Sequence, residues 1–217
     1  MSRLAQKASG YYHTIMKIFY TANSPFARIA RIAAHTCNVQ YEPVCLKHNE
    51  LRTNENSVLK YNCTGRVPTL VDNEIIVTET GTICRYLEAK GDGTKLFNTS
   101  GDWKTQQIEG IALSFLDGCA LWAREHRRPN HKQSAWLCEV ERDRAARCLD
   151  WFSRSPGIMS ISTLWDFPHI VLTVAISFLH HRELMQDWQK DRCALVSWHL
   201  KQCERPSVLA NPIVLEV

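Results

Sequence analysis

The sequence predicts an α/β half followed by an all-helical half, and three observations carry that prediction. Up to Lys90, short β-branched and aromatic runs alternate with helical patterns. The stretch "GDGTKLFNTSGD" (Gly91–Asp102) is rich in Gly, Ser, Asp and Asn and reads as a linker. Beyond it no strand pattern survives, while apolar residues recur at helical spacing. The first half reads βαβ and then ββα, which implies a mixed four-stranded sheet with helices packed on it.

Taken in order, "MKIFYT" (Met16–Thr21) reads as a strand. Pro25–His35 reads as a helix with Phe26, Ile29, Ile32 and Ala33 on one face. Ser24-Pro25 is ordinary helix-start chemistry, Ser being a preferred cap and Pro preferred at the first helical position. "QYEPVCLK" (Gln40–Lys47) alternates partially and reads as a second strand, and the polar His48–Asn62 as loop and short helix. "VPTLVD" and "EIIVTE" are β-branched runs that meet in a hairpin-like turn at Asp72-Asn73. Thr80–Lys90 closes the unit as a helix.

In the second half Trp103, Ile108, Ile111, Ala112, Phe115, Cys119 and Trp122 mark one helix, and Leu137, Val140, Cys148, Leu149 and Phe152 a second. Phe167–His180 is apolar nearly all round, so it should be central. Trp188–Cys203 reads as a fourth helix, and the last dozen residues, with Pro206 and Pro212, as irregular. The expected organisation is an extension over 1–15, an α/β domain over 16–90, a linker over 91–102 and a helical domain over 103–217.

Composition excludes several roles. The net charge of +4 over 217 residues is mild, and only "REHRRPNHK" (Arg124–Lys132) is densely basic. It reads as a solvated helix end, so nucleic acid is not an expected partner. The nine cysteines include no Cys-x-x-Cys pair and sit mostly in apolar segments. That usage suits a reduced, cytoplasmic compartment and no metal site. The longest apolar stretch, Phe167–His181, is interrupted by Pro168 and His169 and falls short of the roughly 20 residues that span a bilayer. The N-terminal stretch lacks the apolar core of a signal peptide.

Three motifs carry a resemblance to the cytosolic glutathione transferases: "SPFARIAR" (Ser24–Arg31), "GRVPTLVDNEIIVTET" (Gly65–Thr80) and "ETGTICRYLE" (Glu79–Glu88). The first is similar to the serine version of the family's Ser/Cys-Pro-Phe helix start. The resemblance implies a thioredoxin-like N-terminal domain, an all-α C-terminal domain, glutathione as co-substrate without a metal, and a homodimer. It implies Ser24 as the group that donates to the glutathione sulfur, with Phe26 beside it. It implies a cis Val67-Pro68 bond that turns Val67's backbone toward the cysteinyl part of glutathione. Glu79 and Thr80 would hold the γ-glutamyl end, and Arg66, with Lys60 or His48, the glycine carboxylate.

The electrophile would lie against the helical half, where Phe115, Cys119, Trp122 and His126 are the candidates. Tyr20, Tyr61 and Tyr86 are rival hydroxyl donors, and Asn23 is a closer rival because it adjoins the helix start. "STLWD" (Ser162–Asp166) resembles the family's capping box before the central helix, with Thr163 as cap; capping by Asp166 would seat Pro168 better, and both registers stay open. The expected activity is conjugation of glutathione to small hydrophobic electrophiles, in a detoxifying role, or a related addition–elimination. The alternative is a non-catalytic binding or regulatory protein on the same fold.

Overall fold

The computed structural model describes residues 15–97, 103–155 and 165–214. Its sheet holds β1 (Lys17–Tyr20), β2 (Glu42–Cys45), β3 (Thr69–Asp72) and β4 (Ile75–Thr78), in the order β2-β1-β3-β4. β1 runs parallel to β2, with Ile18 opposite Pro43, and antiparallel to β3, with Ile18 opposite Leu70. Parallel neighbours need a long crossover, and α1 (Pro25–Thr36) lies within it. Pro43 is tolerated because β2 is the sheet edge, where a missing N–H costs no ladder bond. β3 and β4 form the hairpin, and Asn73 takes φ +55° at its turn, a conformation that Asn adopts more readily than most residues.

Ile18, Leu70, Ile29, Ile32 and Ala33 are fully buried where α1 packs against α2 (Thr80–Lys90) and the sheet. Phe26 departs from its expected place in that face. It sits at the first turn, only partly buried, where the sheet half opens into a cleft.

The segment after α2 is fastened rather than loose. The Glu88 carboxylate accepts from the backbone N–H groups of Leu96 and Phe97, at 2.6 and 2.9 Å. Leu96 is fully buried, its carbonyl accepts from Phe167 N at 2.8 Å, and the Phe97 ring stacks on Phe167. Seven residues past the helix end, the chain is already docked on the other half.

The helical half comprises α3 (Trp103–His126), α4 (Ala135–Ser153), α5 (Phe167–His181), α6 (Cys193–Cys203) and α7 (Pro206–Leu209) among the described residues. Thirteen residues of α5 are buried, from Phe167 to Leu179, so its apolar surface needs neighbours all round. It packs on α3 and α1, which joins the two halves through one core. Each Ile, Leu, Val or Phe buried there contributes about 1.5–3 kcal/mol. Asp166 caps α5: its carboxylate accepts from His169 N at 3.2 Å and also bonds the His169 ring. Pro168 then falls in the first turn, where no intrahelical partner is lost. Of the two registers open in the sequence, this is the one adopted; Thr163 lies outside the described residues.

Two sequence expectations are corrected here. The fourth helical element starts at Cys193, not Trp188. Trp188 lies before it, buried, with its indole N–H donated to His180. Arg192 holds that turn by donating to Asp150 and to the Trp188 carbonyl, both at 2.8 Å. The tail is also less irregular than its prolines suggest. Pro206 opens a short helix that buries Val208.

Candidate functional site

A cleft of about 730 Å³ opens between the two halves. Its α/β wall starts at Ser24, which caps α1 from an extended conformation and accepts from Ala27 N at 3.2 Å. A hydroxyl has one proton and two lone pairs. The cap occupies a lone pair and leaves the proton without an acceptor among the described residues, so capping and donation into the cleft are compatible. The site also lies at the N-terminus of a twelve-residue helix, where free N–H groups and the dipole favour negative charge. Asn23 lines the cleft too, and its side-chain oxygen accepts from the Thr21 hydroxyl at 3.2 Å.

The loop before β3 forms the second part of this wall. Gly65 turns the chain at φ +62°, where a Cβ would stand 3.2 Å from both Asn56 Nδ2 and Leu59 Cδ2. Two buried asparagines hold the loop. Asn56 Nδ2 donates to the carbonyls of Gly65 (2.9 Å) and Leu51 (3.3 Å). Asn62 Nδ2 donates to Thr69 Oγ1 (3.0 Å) and to the Arg66 carbonyl (3.3 Å), while its Oδ1 accepts from Thr64 N and Oγ1. The Val67-Pro68 bond is cis, and both residues line the cleft with Arg66.

The third part is the start of α2. Glu79 takes φ +65°, a backbone state costing on the order of 1–3 kcal/mol for a residue with a Cβ. It is exposed, forms no side-chain cap bond and lines the cleft beside the buried Thr80. Ser24, Phe26, Arg66, Val67, Pro68, Glu79 and Thr80 therefore share one cleft, with His48 also on its wall. Lys60 is not on it. Asn62, Thr64, Leu51 and Arg52 are on it and were not anticipated. The only sequence signal for Asn62 is its place just ahead of "GRVP".

The rival tyrosines are engaged elsewhere. Tyr20 lies beneath the Arg31 guanidinium at 4.3 Å, and its phenol is pushed up, first by burial. Tyr61 packs on Phe19, and Tyr86 donates to Asp72 at 2.7 Å. Behind Ser24 lies Arg28, 8 % exposed, whose Nε donates to the Asn211 carbonyl at 2.7 Å. Burial lowers its pKa to about 10, so it remains a cation at neutral pH and adds positive potential at this helix start.

The helical wall overturns the expected pocket residues. Phe115, Cys119 and Trp122 are at most 3 % exposed and belong to the core, and none of them lines the cleft. His126 is exposed but off the cleft, where its ring accepts from the Trp122 indole at 2.9 Å. The cleft instead meets the adjacent face of α3, through Asp117, Ala120, Ala123 and Arg124, with Arg127 just past its end and Phe178 from α5. Arg124 and Arg127, read as a solvated helix end, are thus cleft residues. Arg127 is pushed below its ordinary pKa, first by partial desolvation and then by repulsion from Arg182, Arg52 and Arg124.

None of the nine cysteines, all of them unpaired, lines the cleft. Among the described residues no group of His, Cys, Asp and Glu is arranged to hold a metal ion, and no helix is long and apolar enough to cross a membrane.

Residues 23–90 match the model of the glutathione S-transferase N-terminal domain. No curated protein sequence matches the chain significantly. Among solved structures, the chain is similar to a glutathione transferase family member from Pseudomonas fluorescens with bound glutathione. That match has 22 % identity and a TM-score of 0.81, covering 92 % of this chain and all of the other. A glutathione S-transferase from Methylobacterium radiotolerans, in complex with glutathione sulfonate, matches at 20 % identity and a TM-score of 0.81, over 94 % of this chain and 98 % of the other. Gtt2 from Saccharomyces cerevisiae matches at 21 % identity and a TM-score of 0.74, over 90 % and 100 %.

Proposed function

From the match of residues 23–90 to the glutathione S-transferase N-terminal domain model, on a chain with the glutathione transferase fold, we propose that the protein binds glutathione and activates its thiol for attack on small electrophiles. In this reading residues 16–90 hold glutathione, 91–102 link, and 103–217 hold the electrophile. The reaction is conjugation or a related addition–elimination, of the kind used in detoxification, by a homodimer in the cytoplasm. The bound glutathione of the Pseudomonas relative and the motif-bearing wall support the glutathione half of the reading.

The observation that carries it is the Ser24 hydroxyl. Its oxygen is held by the Ala27 N–H while its proton is left for the sulfur, at a helix N-terminus that favours the thiolate. Thr80 and the first N–H groups of α2 can donate to the γ-glutamyl carboxylate, and Glu79 can accept from its ammonium. Val67's backbone can pair with the cysteinyl unit like an added strand. Arg66 and His48 line the same cleft and can meet the glycine carboxylate. In the reaction the thiol proton leaves to solvent, the sulfur–carbon bond forms, and the electron pair departs with the leaving group or is protonated after addition.

Magnitudes divide the work between the walls. Lowering the thiol pKa from about 8.5 to about 6.5 raises the thiolate fraction at neutral pH about 25-fold. With a Brønsted slope of roughly 0.45 the weaker base loses about eightfold in nucleophilicity, a net gain of about threefold. Positioning of the electrophile must supply the rest. That makes the helical wall the determinant of rate and substrate.

The test is the ultraviolet difference spectrum of bound glutathione, titrated with pH. The wild type should keep a thiolate band well below pH 8. Ser24→Ala, losing one charge-assisted hydrogen bond, should move the midpoint up by about 1–2 units. Saturable binding with an unshifted thiol would instead show a protein that holds glutathione without activating it.

A further inference from the structure

The helical wall has a composition that its role in conjugation alone does not require. Four arginines line the cleft (Arg52, Arg66, Arg124 and Arg127) against two carboxylates, Glu79 and Asp117. Asp117 stands two helical turns before Arg124 on α3, about 10 Å along the axis, and is too far to neutralise it.

Three arginines fall within residues 124–128, and the structure treats them differently. Arg128 is paired with Glu125, which also accepts from Ser134 N at the start of α4. Arg124 and Arg127 have no carboxylate within ion-pair distance among the described residues, and both face the cleft. Arg182, just past the end of α5 and behind the cleft lining, adds a third cation without a carboxylate at ion-pair distance among the described residues. Its Nε and one Nη are buried without a hydrogen-bond partner, and its guanidinium stands 5.6 Å from the ring of Phe178, a cleft residue. Arg52 approaches from the opposite wall, close enough to repel Arg127.

A helix C-terminus accounts for one or two of these cations, because the terminal carbonyls attract them. It does not account for cations from three separate elements gathered around one opening, where each raises the energy of the others. Such an arrangement is relieved when an anion enters. Beside it, Ala120, Ala123 and Phe178 present a small apolar floor.

We propose that the helical half of the cleft takes electrophiles bearing a carboxylate or similar anionic group, held by Arg124 and Arg127, with the apolar remainder on Ala120, Ala123 and Phe178. This rests on the reading that glutathione fills the α/β half, and it narrows the substrate class from hydrophobic to amphipathic and anionic. Arg182 acts from behind as a positioning residue, holding Phe178 and adding to the positive potential. The anionic end would lie at the C-terminal end of α3, away from Asp117.

The experiment compares two conjugates, S-(3-carboxypropyl)glutathione and its neutral methyl ester on the added carboxyl, by calorimetric binding to the full chain at low and high salt. The acid should bind about tenfold tighter than the ester at low salt, the advantage of one charge-assisted contact, and the difference should narrow at high salt. In Arg124→Gln/Arg127→Gln the preference should disappear. Equal or tighter binding of the ester to the wild type overturns the proposal, and that comparison needs no variant. Survival of the preference in the double variant also overturns it. So does a parallel loss of affinity for glutathione itself, which would assign the arginines to glutathione's own carboxylates. If the wild type binds no glutathione, the underlying reading fails and this proposal fails with it.

Discussion

The two walls of the cleft meet the same space with different parts of the chain. On the α/β side the wall is shaped by main-chain features: the Ser24 cap, the turn at Gly65, the Val67-Pro68 unit and the start of α2. On the helical side it is the side-chain tips of one face of α3 and of Phe178. Backbone presented at a defined place needs particular residues nearby, a capping Ser, a Gly at positive φ, a Pro, an Asn that reaches main-chain groups. A helix face needs only the right direction, and direction is set by what else packs on the helix. The first wall can therefore be conspicuous in a sequence while the second is anonymous.

The largest effect that could break this contrast lies in the two faces of α3. Phe115 and Ala120 are five positions apart, one in the core against Phe152 and one on the cleft. Phe115→Ala should cost about 3–5 kcal/mol of stability, lowering the melting temperature by roughly 10 °C or more, through the cavity it leaves. The affinity of the still-folded protein for glutathione conjugates should stay within about twofold. Chemical denaturation and calorimetry on the same preparation check both. A small stability loss with a large change in conjugate affinity would put Phe115 in the cleft after all.

That pair of faces also marks where the sequence stops being legible. The order of strands and helices in the first half follows from alternating β-branched runs and capping residues, because each signal is local. The burial of α5 follows from an apolar pattern with no polar face. The site on the α/β wall is legible through three short motifs, since turns and caps restrict residue type. α3 carries two usable faces: an aromatic one through Phe115 and Trp122, and a small and basic one through Ala120 and Arg124. The aromatic face looks more like a pocket for an apolar substrate, yet α4 and α5 cover it. Tertiary packing decides, and nothing within the helix announces it. Trp188 departs from the helical pattern for a related reason, an aromatic anchoring a turn rather than a helix.

Each wall is braced by a buried polar side chain, and the two braces should answer differently to pH. Behind the helical wall, His199 on α6 shares Nε2 with the Ser177 hydroxyl at 2.9 Å and with Cys203 Sγ at 3.4 Å. Ser177 precedes Phe178, the cleft residue. Burial, chiefly, lowers the pKa of His199 to about 4, with the Thr173 carbonyl pulling the other way and His180, Arg28 and His181 adding repulsion. The unfolded chain, near the ordinary 6.5, binds this proton more readily than the folded one. Its stabilising contribution is therefore full above about pH 6.5 and lost as pH falls toward 4, about 3 kcal/mol in all. Melting temperature measured between pH 8 and pH 4 should fall over that window, and His199→Gln should flatten the fall. An unchanged slope in the variant would remove His199 as the source.

Within the α/β wall, Asn62 does the corresponding work without a titrating group, so its removal should show a different signature. Asn62→Ala deletes the donors to Thr69 Oγ1 and the Arg66 carbonyl and the acceptor for Thr64 N and Oγ1. Thr64 is exposed, so water can replace its lost partner, and Thr69 Oγ1 still donates to the Arg66 carbonyl at 2.8 Å. The stability cost should therefore be modest, about 1–2 kcal/mol and independent of pH between 8 and 4. The larger consequence is positional, because the loop from Thr64 to Pro68 lines the cleft and loses its internal tie. Glutathione should bind about tenfold more weakly, while the preference between acidic and neutral conjugates, read on the opposite wall, is retained. Asn62→Asp keeps the acceptor for Thr64 but turns a carboxylate oxygen toward the Arg66 carbonyl and Thr69 Oγ1 at a buried position, so it should destabilise more than Asn62→Ala. If Asn62→Ala instead abolished the acid preference and spared glutathione, the two walls would not be separable as backbone and side-chain surfaces, and the division of labour between them would be wrong.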